Sequence, residues 1–406
     1  MDIESNQADL DTRASAQRFL GIFIAAVMVI AMLVAAVNLT AYRYMLRADN
    51  HSIVQLLSGW GRLYKPILYD EIKPEVAVFG ASWARDAFDP VDSSALLERS
   101  LFNHGVSGGT AYETRRFAES ALANPNLKSA IINLDSFHSK ETDPRYRYGF
   151  DESILNFDTD HQPNSFIDLR RTYSLALGGW AVGANIKLIS AVLARDRGVP
   201  RPDYLESYQQ GDLTRRNLKS FRQRIFPQPG SSIETTATTV KPAQLLWERR
   251  ELDIMIKGFC DAGVDIYVYF TPSHVRKQSC DPGASAQLAA LEYLRSQQRS
   301  CRARIQFFHF AYPNALTLEG VLSPVSASQY YRPDGHPRPT VGLAMAASMF
   351  DKPYPVDSSP ALAKDFGVDL LTQPNAEDWL LQRAARCTGD WGESGHDDFK
   401  AALEKL

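Results

Sequence analysis

Hydrophobic and polar positions alternate along this chain in two different ways. Near the N-terminus, Phe19 to Val37 read FLGIFIAAVMVIAMLVAAV, without a charged or strongly polar side chain. At 1.5 Å per residue that run is about 28 Å long, close to the roughly 30 Å of a bilayer hydrocarbon core. A buried core helix normally keeps a polar stripe, which this run lacks. A cleavable signal has a shorter apolar region behind a basic segment. Here Asp2, Glu4, Asp9 and Asp11 accompany Arg13 and Arg18 instead. The pattern predicts an uncleaved membrane helix over 19–40, with a tail over 1–18 and a juxtamembrane segment over 41–72 that has partial helical periodicity and packs on the main domain. Arg13 and Arg18 on one flank balance Arg43 and Arg47 on the other, so the positive-inside rule does not choose an orientation. A single apolar segment ahead of a large domain usually acts as an export signal. The expected arrangement is therefore a cytoplasmic tail, one pass through the inner membrane, and a main domain in the periplasm or otherwise outside the cytoplasm.

Beyond Pro74 the apolar runs become short. EVAVFG, SLFNHG, SAIINLDSF, VDIYVYFTP and ARIQFFHF read as strands. TAYETRRFAESALANP, WERRELDIMIKGFCDAG, SAQLAALEYLRSQQRS and TVGLAMAASMF read as helices between and after them. Thr110 and Glu113 have capping-box spacing. Leu252, Met255, Ile256 and Phe259 recur as one helical face. Strands alternating with helices predict an α/β domain over 73–350, a parallel sheet flanked by helices on both faces. Residues 140–241 break the rhythm and read as an inserted helical cap or a long excursion. The extension over 351–406, with Trp379, Cys387 and Trp391, reads as ordered, without a legible role.

Composition changes this picture little. The chain of 406 residues is long enough beyond its apolar helix for one large domain with embellishments. Its 44 basic residues nearly balance 47 acidic ones, and no basic stripe points to nucleic acid. The four cysteines, Cys260, Cys280, Cys301 and Cys387, form no CxxC pair, which weakens a zinc or redox reading. Two disulfides and four free thiols both remain open. Cys260 and Cys301 end two predicted helices that each feed a parallel strand, so both belong at one end of the sheet. Cys280 opens the helix before Cys301, about 24 Å away along its axis, whereas a disulfide needs Cα atoms within about 7 Å. Cys260–Cys301 is the favoured pair and Cys280–Cys301 the least favoured.

In a parallel α/β sheet, ligands bind outside the carboxyl ends of the strands. There the chain offers Gly80-Ala81-Ser82-Trp83, Asn103-His104-Gly105, Asp135-Ser136-Phe137-His138, Thr271-Pro272-Ser273-His274 and, before the last helix, Asp334-Gly335-His336. A serine after a strand-ending glycine can project into the cleft. An imidazole can take its proton while a carboxylate fixes the tautomer. Taken singly, each element has a structural reading: Ser82 as a helix N-cap, Asp-Gly-His as a turn, 103–109 as a glycine-rich turn, His274 as a hydrogen-bonder. A metal site of Asp334, His336 and His274 has suitable ligand types but no helical histidine spacing. No cofactor is indicated.

The order of these blocks resembles the SGNH (GDSL-like) hydrolase and acyltransferase superfamily, in particular its membrane-anchored bacterial members. VAVFGASWARDAFDP, FNHGVSGGTAYE and HPRPTVG carry the resemblance, over roughly residues 74–138 and 243–350. It implies an SGNH-like three-layer fold, with Ser82 as nucleophile, His336 as general base, Asp334 as its orienting acid and Gly105 as an oxyanion donor. Two departures stand out. The family's Asp-x-x-His becomes Asp-x-His, with Pro333 in the usual acid position. In place of Gly-x-Asn-Asp the chain has Asn133-Leu134-Asp135-Ser136, leaving Ser136 or His138 as substitute donors. The implied activity is an esterase or O-acyltransferase acting on a cell-envelope or exported polysaccharide through an acyl-serine. Membrane-bound acyl-donor or polymer-export proteins are the implied partners. The alternative is a catalytically degenerate member that binds glycan, or assembles within an export complex.

Overall fold

The computed structural model describes residues 2–45, 61–137, 145–183, 185–186, 242–272, 284–310, 316, 330–331, 336–354 and 366–385. The expectations for His138, His274, Cys280, Asp334, Cys387 and Trp391 lie outside the described residues. The chain forms two compact units, one of residues 1–60 with 166–201, the other of 61–165 with 202–406.

The larger unit is α/β. Its strands are β1 (Val76–Phe79), β2 (Leu101–Asn103), β3 (Ser129–Asn133), β4 (Asp265–Tyr269), β5 (Ile305–His309) and β6 (Val368–Asp369), in the order β2-β1-β3-β4-β5-β6. The first five are parallel and β6 is antiparallel to β5. β1, β3 and β5 are buried along their whole length, the pattern of a sheet covered on both faces. On one face Val76, Val78, Ile131, Tyr269 and Phe308 pack with Val341 and Met345. The latter two come from the last apolar helix, Pro339–Met349. On the other, Phe79 meets Phe259 of helix Pro242–Ala262, ring centroids 5.5 Å apart. Helix Ala111–Ala121 begins with the predicted capping box: the Glu113 N–H donates to Thr110 Oγ1, and the Thr110 N–H to Glu113 Oε2.

The structure refines the sequence reading at three boundaries. Helix Gly61–Ile72, read as part of a juxtamembrane segment that packs on the main domain, belongs to the sheet unit, with nine of its twelve residues buried. The described part of residues 140–241 divides between the two units. Residues 145–165 stay with the sheet unit: Tyr112 donates to Glu152 Oε1, Asn156 Nδ2 to Asp70, and Arg116 to the Phe157 carbonyl. The next helix joins the other unit. The C-terminal extension completes the sheet: Asp369 accepts the Phe307 N–H at 3.1 Å and Gln306 Nε2 at 3.1 Å, covering the β5 edge. The favoured disulfide is present, with Cys260 and Cys301 Cα atoms 5.0 Å apart.

The smaller unit is built on helix Asp2–Met45, of which Ser15–Arg43 is long and apolar enough to cross a membrane. Its side chains from Phe19 to Val37 are largely exposed. Helix Ile167–Leu177 packs on its C-terminal part, where Asn38 Nδ2 donates to the Ala176 carbonyl at 2.8 Å.

Candidate active site

Chain direction explains where the site lies. From β1 the sheet grows one way to β2 and the other way to β3, and the crevice outside this reversal is where open α/β sheets bind ligands. The turn leaving β1 fits only because residue 80 is glycine. A Cβ there would stand 2.8 Å from both Ala84 Cβ and Asn133 Cβ. The next amide, the Ala81 N–H, donates to Ser136 Oγ at 2.7 Å. Helix Ser82–Ala87 then begins. Its N-cap is Ala81, with no side-chain capping bond, so Ser82 is not held as a cap.

The Ser82 hydroxyl meets His336 instead. His336 Nε2 lies 2.9 Å from Ser82 Oγ across 254 residues of sequence. Both residues are half-buried. The histidine precedes Pro337, which bridges to Tyr331. That position is pinned by the Arg338 N–H to the Tyr330 carbonyl and by Arg338 Nε to the Tyr331 carbonyl. Trp83 presents an edge-on ring 5.9 Å from the imidazole. A base acting through Nε2 must be unprotonated there, which puts the neutral ring's proton on Nδ1.

The oxyanion side is built differently. Residue 105 must be glycine, because a Cβ would fall 2.5 Å from the Arg85 nitrogen. Its N–H, however, donates to Asn103 Oδ1 at 2.8 Å. This departs from its expected role as an oxyanion donor: the Asn103 side chain reaches that N–H first. Asn103 Nδ2 donates in turn to the carbonyls of Ala84 at 2.9 Å and Phe88 at 2.7 Å, clamping the loop to the serine's helix. Asn133 is wholly buried and donates to Asp135 Oδ2 and Thr271 Oγ1, so it braces β3 against β4. Ser136 is the acceptor for Ala81 described above. Helix starts leave their first N–H groups without intrahelical acceptors, which makes the backbone N–H of Ser82 a donor at the nucleophile itself.

Below this loop, Lys65 Nζ donates to the carbonyls of Asn103 at 2.7 Å and Gly105 at 2.5 Å. Burial first, and the Arg85 charge second, lower its pKa to about 7, with Asp86 opposing. Arg62 forks onto Glu113, with Nε 2.9 Å from Oε1, and its Nη2 reaches the Ser107 carbonyl at 3.0 Å. His104 stacks on Phe79 at 5.1 Å and meets Tyr69 at 4.6 Å, and its pKa is held well below the usual value by burial and then by Lys65. Sequence reasoning placed Trp83 and Asn103 at the strand ends without a role, and missed Lys65 altogether. The only signal for Lys65 was the three-residue spacing Arg62–Lys65, which puts two cations on one face of the helix.

Among the described residues no group of three His, Cys, Asp or Glu side chains could hold a metal. Two of the three metal ligands weighed from the sequence, Asp334 and His274, fall outside them. None of the protein-family models, curated proteins or solved structures compared with the chain matches it.

Proposed function

We propose that the chain is a membrane-anchored, SGNH-like serine esterase or O-acyltransferase acting on a cell-envelope or exported polysaccharide. The observation that carries this reading is the 2.9 Å contact between His336 Nε2 and Ser82 Oγ at the switch point of the sheet. Nucleophile and base are within hydrogen-bond reach, the first requirement of acyl transfer through serine. In the proposed cycle, Ser82 Oγ attacks an ester or thioester carbonyl while His336 Nε2 takes its proton. The imidazolium returns that proton to the departing alcohol or thiol, leaving an acyl-serine. Water, or a sugar hydroxyl deprotonated by the same nitrogen, then attacks the acyl carbon and releases Ser82. The Ser82 backbone N–H supplies charge stabilisation at the carbonyl oxygen. Asp334 is the proposed orienting acid. The Cys260–Cys301 disulfide suits an oxidising compartment and favours a domain outside the cytoplasm.

A second reading has an observation of its own. The Gly105 N–H and the Asn133 amide are both spent on internal bonds, as in a protein that keeps the fold to bind glycan without cleaving esters. A fluorophosphonate probe separates the two. Applied to the purified full chain in detergent, it is expected to label the protein and to fail with Ser82→Ala. Equal labelling of both, or none on demonstrably folded protein, rejects the enzyme.

A further inference from the structure

The smaller unit has an apolar surface apart from its long helix. Along helix Ile167–Leu177 and its N-cap, Phe166, Leu169, Tyr173 and Leu177 recur every three or four residues and share one face. They are 77%, 68%, 63% and 42% exposed. The opposite side holds Arg171 and Leu175, both buried. After a turn at Gly178, residues 179–183 are again helical, and Ile186 is exposed as well.

The depth of this surface is fixed by Asn38. That residue directly follows Val37, the last position of the apolar run. Its Nδ2 donates to the Ala176 carbonyl and its Oδ1 accepts Asn185 Nδ2, each at 2.8 Å. Both asparagines are buried, so their amides satisfy one another where water is scarce. Ala31, Val34 and Ala35, deeper in the apolar run, are half-buried on the same side of the helix. Ala31 lies about 10 Å along the axis from Asn38. The end of helix Ile167–Leu177 is thus level with the end of the apolar run.

We propose that Phe166–Ile186 is a second membrane-contacting element, which lies in the headgroup–acyl boundary beside the spanning helix and turns its apolar face into lipid. Lipid is the occupant because the Leu177 end of the stripe adjoins Ala176, which is held at Asn38, one residue from the exposed Val37 of the apolar run. Tyr173 on the stripe is a residue type that favours the membrane–water boundary. The spanning helix would then be held by two contacts with one leaflet, which restricts its tilt.

The test places one nitroxide at a time on the full chain in phosphatidylethanolamine–phosphatidylglycerol nanodiscs. Cys280→Ser and Cys387→Ser leave the introduced thiol as the labelling site. Labels at Leu169→Cys and Leu177→Cys are expected to collide with oxygen and to lose collisions with a water-soluble nickel chelate. Leu33→Cys reports lipid in the same preparation, and Lys257→Cys, exposed on the sheet unit, reports water. Nickel accessibility at 169 and 177 equal to that at 257 overturns the proposal in favour of a solvated face. Protection from both reagents overturns it in favour of a protein partner or second copy. If Leu33→Cys also reads water, the membrane crossing itself fails, and the proposal with it. Both test positions are exposed, so substitution there leaves the packed side of the helix intact.

Discussion

The two sides of the candidate pocket use polar groups in opposite ways. On the Ser82 side a hydroxyl and an imidazole from distant parts of the chain meet each other at 2.9 Å. On the Gly105 side every polar group is turned inward: the Gly105 N–H onto Asn103, Asn103 onto the serine's helix, and Lys65 onto two loop carbonyls. The first arrangement can act on a ligand. The second holds a shape, and it does so at the place where an acyl-transfer enzyme needs a donor for developing charge. The difference teaches that a serine–histidine contact can form beside a loop whose own donors are engaged in holding its shape.

The largest effect comes from breaking the active side. Ser82→Ala and His336→Ala are each expected to lower kcat/KM for an activated ester by about 10³-fold or more, and the double variant by no more than either alone, because the pair acts as a unit. In enzymes with a full oxyanion hole, loss of the triad leaves residual catalysis about 10³–10⁴-fold above water. Here the residual rate should fall closer to background, since the Gly105 N–H is engaged. Ester-hydrolysis assays on the purified full chain read both quantities. A large residual rate would reveal a donor set beyond the Ser82 amide.

Breaking the closed side should cost stability before it costs chemistry. Asn103→Ala strands the Phe88 carbonyl and the Gly105 N–H in one step, while the Ala84 carbonyl keeps the Phe88 N–H. Buried unsatisfied groups cost about 1–3 kcal/mol each, so a loss of about 2–5 kcal/mol is expected in chemical denaturation. Turnover per folded molecule should also fall as the serine's helix loosens. A rise instead would mean that the freed Gly105 N–H turns toward the acyl oxygen, and that Asn103 competes with substrate for it.

Much of the fold was legible because the parallel strands are short apolar runs and their helices carry one apolar face; Thr110–Glu113 even announced its cap. The pairing of Ser82 with His336 was legible as well, from block order. What stayed hidden has one physical cause. Asn103, Lys65 and Asp369 are polar residues whose partners are backbone groups far away in sequence. No local pattern encodes such a bond, so Gly105 looked like an open donor and 351–406 like an appendage. Helix Gly61–Ile72 packs on the main domain as its periodicity predicts, but the hold of its Lys65 on two loop carbonyls was not legible.

Lys65 allows a finer test of the closed side. Its folded pKa is about 7, against about 10.4 in an unfolded chain. Between those values the unfolded state binds the extra proton, so this residue's contribution makes stability rise with pH, by at most about 1.4 kcal/mol per unit. Below pH 7 both states are protonated and the contribution is flat. Arg85, Asp86 and His104 are the charged or titratable groups facing it. Lys65→Met should remove that slope when denaturation is compared at pH 7.5 and 9.5. Equal slopes in both proteins would show that Lys65 stays protonated in the folded chain as in the unfolded one, with a pKa near the ordinary lysine value.

The smallest effect belongs to His104, which marks the base of the same loop. Its ring lies between Phe79 and Phe117, and among the described residues neither ring nitrogen has a hydrogen-bond partner. Burial and the neighbouring Lys65 hold its pKa well below the usual value, so the folded state keeps it neutral. The unfolded chain takes up a proton as pH falls through about 6.5, and stability is lost from there downward. His104→Phe keeps the stacked shape and the backbone bond from residue 104 to the Val78 carbonyl, while removing two unmatched polar atoms. Stability at pH 7.5 should change by less than about 1 kcal/mol, in either direction. At pH 5 the variant should be the more stable, because only the wild type has a buried imidazole to keep uncharged. A variant weaker than the wild type at both pH values would show that the imidazole holds the loop through a polar contact, and the closed side would then depend on an ionisable ring beside Gly105.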